Sequence, residues 1–135
     1  MDDKLNGFAP SLDALYAIAA QTLATVPDPF RAGAAQVVLR VEDFAPDEMW
    51  QGMGLDDPFE LTGLYDGIPL TEKSVMDQPE GPDTIWLFRR PILDEWCGRS
   101  DVTLTDLVAH VTVHELAHHF GWSDEDIAKI DRWWE

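Results

Sequence analysis

All four histidines of the chain fall between His110 and His119, in the stretch VTVHELAHHFGWSDED, gathered around one glutamate. His114, Glu115 and His118 spell His-Glu-x-x-His. On an α-helix, residues four apart are offset by about 40° with about 6 Å of rise, so two imidazoles so placed converge on one point. Zinc suits nitrogen ligands and accepts the geometry that a helix offers. Glu115 lies about 100° around from His114, beside such an ion without having to bind it. Zinc lowers the pKa of a bound water towards about 7, and a carboxylate in that place can take the proton and return it to a leaving amine. Background composition produces this five-residue pattern by accident in roughly a few chains per thousand of this length. Its surroundings therefore matter.

Catalytic zinc usually keeps three protein ligands and one open position. The sequence continues as His-Glu-x-x-His-x-x-Gly-x-x-Asp, with Gly121 able to turn the chain sharply and Asp124 able to come back towards the ion. Longer zinc motifs carry histidine at this last place, and aspartate is a short oxygen ligand that can replace it. A competing explanation holds for Asp124: after a Ser123 cap, Asp124, Glu125 and Asp126 are all favoured by the helix dipole. Glu125, water or an oligomer partner stay open as third ligands. His110 sits on the His114 face but about 12 Å of rise from His118, so one ion cannot take all three. It reads as a packed or hydrogen-bonded neighbour. His119 points away from His118 and reads as structural, paired with an acid of the last helix.

These side chains need elements to carry them. Thr103 followed by Asp106 makes a capping start, Leu104, Leu107, Val108 and Val111 give the helix an inward stripe, and Gly121 can close it. Ser11 can cap an earlier helix with Leu12, Leu15, Tyr16, Ala19 and Leu23 on one side, stopped by Pro27 and Pro29. AAQVVLRVED and TIWLFRR read as strands, with a shorter one from Leu61 to Tyr65. PDEMWQGMG reads as a short helix closed by Gly52 or Gly54, and TEKSVMDQPEGPD as a loop. Pro91 can sit at the first turn of a helix running through Trp96 that Gly98 can end, and Ser123 can cap a final one. The order implies an α+β class, helices packed on one face of a small sheet.

The 135 residues suit a single domain over 1–135, with 45% hydrophobic content and six tryptophans. A net charge of −17 argues against nucleic acid and against anionic lipid as partners. The acidic start MDDKLNGFAPSLD is no secretory signal, and no run approaches the roughly 20 apolar residues of a membrane span. One cysteine, Cys97, excludes an intrachain disulfide and fits a cytoplasmic protein. Cys97 itself reads as a small buried hydrophobe. Arg89 and Arg90 read as local neutralisers of the negative charge. Tyr65 has two readings, an ordinary strand aromatic or a hydrogen-bond donor to a reacting oxyanion.

The motifs LYDGIPLTEKS, TIWLFRRPIL and VTVHELAHHFGWSDEDI together resemble those of small bacterial zincin-like metallopeptidases, from about Val37 onward. The resemblance implies a minimal zincin-like fold, a small mixed sheet packed against the helix that bears the motif. It implies Zn2+ as cofactor, His114, His118 and Asp124 as ligands, Glu115 as general base, and a peptide or protein as substrate. Lys73 stands where relatives often carry arginine, and no methionine follows Asp124 as it would in the longer metzincins. Zincins commonly hold a peptide as an added strand at a sheet edge. Either LTGLY or TIWLF could be that edge, and the 43–80 segment could serve as a lid. The alternative function is a zinc-binding module without turnover, and hydrolysis of RNA is a weaker third reading.

Overall fold

The computed structural model describes residues 9–28, 30–67 and 83–121. The sequence-predicted Asp124, Glu125, Lys73 and the final helix lie outside the described residues. The elements are α1 (Leu12–Ala24), α2 (Arg31–Ala34), β1 (Val38–Glu42), α3 (Asp47–Gly52), a 3-10 turn (Pro58–Glu60), β2 (Gly63–Asp66), β3 (Thr84–Phe88), α4 (Arg89–Gly98) and α5 (Leu104–His119).

The three strands form one mixed sheet in the order β1-β3-β2. β1 runs parallel to β3, Val38 opposite Thr84, and β2 runs antiparallel to it, Gly63 opposite Leu87. TIWLF is therefore the central strand and not an edge. Its near-continuous apolar run fits a strand covered on both faces. Among the described residues β2 is an edge, with β3 on one side only.

Alternation along β3 divides the interior in two. Ile85 and Leu87 face the helices and join Leu15, Ala19, Leu107, Val108, Val111 and Leu116. Trp86 and Phe88 face the other way, where Phe88 packs with Ala45 and Leu61, against Leu64, Met49 and Trp50. On that far side the Arg40 guanidinium lies 4.7 Å over the Trp86 ring.

The expected caps form. Ser11 Oγ accepts from Ala14 N at 3.0 Å, and Thr103 Oγ1 accepts from Asp106 N at 3.0 Å. Each such cap supplies a partner to one of the four N–H groups a helix start leaves unpaired. Three readings need correction, those of Ala34, Tyr16 and Cys97. Ala34, expected at the start of a strand, instead ends the short α2. Tyr16 lies on the α1 stripe but is exposed, because only Leu15 and Ala19 of that helix are fully covered. As expected, Pro91 lies in the first turn of α4, which starts at Arg89, so its missing N–H falls among the groups that a helix start leaves unpaired. Cys97 is exposed: α4 buries Pro91, Ile92 and Leu93, and Cys97 falls on its outer side. Arg89 has a definite task, donating to Pro10 O at 2.6 Å and to Asp43 Oδ1 at 3.0 Å. Among the described residues no helix is long and apolar enough to cross a membrane.

Candidate metal centre

His114, Glu115 and His118 all sit in the C-terminal part of α5, each half-buried, between the fully covered Val113, Leu116 and Ala117. The imidazole rings of His114 and His118 have centroids 5.1 Å apart with planes at 75°. That separation can be tested against the metal. With Zn–N near 2.1 Å, an ion lies about 3.2 Å from each ring centre, and a tetrahedral angle then needs centroids about 5.2 Å apart. The pair fits. His110 and His114 stand 6.4 Å apart, which would open the same angle to about 180°. His110 is thus the neighbour that the spacing suggested, outside the pair.

Among the described residues no group of three or more His, Cys, Asp or Glu side chains is arranged to hold an ion. Two candidate ligands come together on α5. The sequence-predicted third, Asp124, follows the helix end in a part of the chain outside the described residues. The end itself is built for a sharp turn. Gly121 has φ 81°, a left-handed conformation open to glycine at little cost, and its N–H donates to His118 O at 2.9 Å.

Glu115 lies against the sheet edge. A Cβ added to Gly63 would stand 3.4 Å from Glu115 Cγ, 2.8 Å from Val111 Cγ1 and 3.1 Å from Trp86 O. Glycine at the first position of β2 therefore lets the strand pass close over the helix, directly above the carboxylate-bearing turn. This role of Gly63 was not read from the sequence, where LTGLY stood only as a short strand and a candidate edge.

Beside the motif is a second polar group that is truly interior. His119 is almost wholly buried, and its Nδ1 lies 3.0 Å from Asp83 Oδ2. Tyr65 donates its hydroxyl hydrogen to the same oxygen at 2.8 Å and lies 3.1 Å from His119 Nδ1. A carboxylate only accepts, so the geometry sets a hydrogen on Nδ1. Among the described residues the partner of His119 is Asp83, just before β3; the last helix, whose acids the sequence suggested, lies outside them. The Tyr65 phenol titrates well above its ordinary range, first because it is desolvated and next because it donates to Asp83. Its hydrogen is committed there, which answers the two readings of Tyr65: it braces the structure.

A profile of the zincin-like metallopeptidase family matches residues 34–134. The chain belongs to that family. The match takes in the whole sheet, α4 and α5, and the mixed α+β architecture agrees with a minimal zincin-like fold. Zinc is the usual metal of this family, and the chemistry of the α5 histidine pair suits it. No curated protein matches the chain in sequence.

Proposed function

We propose that the protein is a zinc-dependent peptidase in which His114 and His118 hold the ion, Asp124 completes the set and Glu115 is the general base. The observation that carries this reading is the 5.1 Å imidazole pair one helical step from a carboxylate under an edge strand. A zinc ion held there supplies a Lewis acid that polarises a carbonyl and lowers the pKa of water.

The side chains divide the remaining work. Glu115 takes a proton from the attacking water and passes it to the amine nitrogen as the C–N bond breaks. β2 offers backbone N–H and C=O groups along its outer edge, where an extended peptide can lie as a further strand. Because Gly63 has no side chain, that strand sits near the Glu115 carboxylate. The net charge of −17 supports a peptide or protein substrate over nucleic acid. A single cysteine, exposed on α4, fits residence in the reducing cytoplasm.

Glu115→Gln tests the mechanism. The variant is expected to keep zinc and to lose hydrolysis of a peptide library by about 100-fold or more, the usual share of a general base. Wild-type activity in the folded, zinc-loaded variant would remove Glu115 from the reaction. Zinc binding with no peptide cleavage by the wild type would favour a metal-binding module without turnover.

A further inference from the structure

The last turn of a helix is less constrained than its middle, because its carbonyls lack i+4 partners within the helix; in α5 it is closed by Phe120 N donating to Ala117 O at 3.1 Å and Gly121 N to His118 O at 2.9 Å. His118 lies in that turn of α5. Contacts from outside the helix add to those bonds in keeping a metal ligand there in place. Two contacts do so from opposite sides. Phe120 packs edge-on against Phe30 next to α2, ring centroids 5.3 Å apart. On the sheet side, His119 is held by Asp83 and Tyr65.

Asp83 is central to the second contact. Its carboxylate takes Tyr65 from β2 and His119 from α5, and its backbone carbonyl accepts from Val38 N of β1 at 2.9 Å. One residue thus ties all three strands to the end of the helix. It is itself 8% exposed, so the interaction is little weakened by water. His119 is covalently next to His118, and a shift of its ring carries the neighbouring backbone with it. Preorganised metal sites depend on such outer supports, and loss of an outer-shell partner typically lowers metal affinity 10- to 100-fold.

We infer that Asp83 is a positioning residue for the metal pair, acting through His119 to fix the last turn of α5 and hence the placing of His118 relative to His114, with Tyr65 as its second arm. The inference rests on the metal-dependent reading given above.

The test is zinc affinity, measured by competition with a chromophoric chelator on the full chain, together with the visible absorption of the cobalt-substituted protein. Asp83→Ala is expected to weaken zinc binding about 10-fold or more and to change the cobalt spectrum. Asp83→Asn, which keeps an acceptor oxygen, is expected to recover part of the loss. Tyr65→Phe keeps the ring packing, removes one hydrogen bond and is expected to weaken binding a few-fold at most. It preserves the test if Asp83→Ala does not fold. Phe88→Leu, in the core on the far face of the sheet, is the control: it should lower the melting temperature and leave zinc affinity and the cobalt spectrum unchanged. Wild-type affinity and spectrum in folded Asp83→Ala or, where that variant does not fold, in both Asp83→Asn and Tyr65→Phe, would overturn the inference while leaving the zinc reading intact. A wild type that binds no zinc would overturn both. Equal loss of affinity in Phe88→Leu would reduce Asp83 to a general stabiliser and overturn the inference alone.

Discussion

From Leu104 to Val113, α5 buries Leu107, Val108, Ala109, Val111, Thr112 and Val113. From His114 to His119 the covered positions are Leu116, Ala117 and His119, and His114, Glu115 and His118 stay half-open. The first part is held by apolar burial, and its one buried hydroxyl, Thr112, donates to its own helix at Val108 O, 2.7 Å away. The second part presents polar groups and is held by contacts from the sheet and from Phe30. One helix thus joins a segment whose substitutions should cost stability to a segment whose substitutions should cost chemistry.

Leu107→Ala probes the first segment most strongly. The side chain is 1% exposed, and its truncation is expected to cost about 2–5 kcal/mol of stability with zinc affinity unchanged in the folded protein. Denaturant unfolding alongside a zinc titration checks both. An equal loss of zinc binding would erase the distinction between the two parts of the helix. Gly63→Ala sharpens it from the other side. The added methyl meets Val111 and a backbone oxygen of Trp86, so an overpacking cost of about 1–3 kcal/mol is expected. Because relieving the clash with Val111 shifts the strand that passes over Glu115, peptidase activity is expected to fall further than zinc affinity. Activity at the wild-type level would mean that the closeness of β2 to the helix has no part in the reaction.

The smallest effect concerns pH. The Tyr65 phenol has its pKa raised by burial and by Asp83. The folded state therefore holds that proton more tightly than the unfolded chain does. The resulting stabilisation is complete below the ordinary phenol value of about 10 and declines as the pH rises above it. Tyr65→Phe is expected to cost about 1 kcal/mol at pH 7, with the difference from wild type shrinking above pH 10. A difference that persists unchanged into the alkaline range would show that the cost does not depend on the phenol's proton.

Sequence spacing made most of this helix legible. The cap at Thr103, the stripe through Leu107, Val108 and Val111, and the stop at Gly121 are all local, and each is set by residues within a turn or two. The same holds for α1 and for β3. The Asp83–His119–Tyr65 group was hidden because it exists only after the sheet has formed: Tyr65 and His119 are 54 residues apart in the chain. Asp83 ends a stretch whose composition is that of a loop, and no local pattern marks it. Cys97 was misread for a related reason, since its type favours burial but the orientation of α4 turns it outward. The edge role of β2 likewise followed from pairing and not from period, because both candidate segments were apolar.

The central proposition is that α5 presents two imidazoles to one ion. Titrating zinc into the metal-free protein and into His114→Ala, His118→Ala and Glu115→Gln tests it directly. One tightly bound zinc per chain is expected for the wild type and for Glu115→Gln, with tight binding lost in both histidine variants. Tight binding that survives either histidine substitution, or a wild type that takes up no zinc, would contradict it.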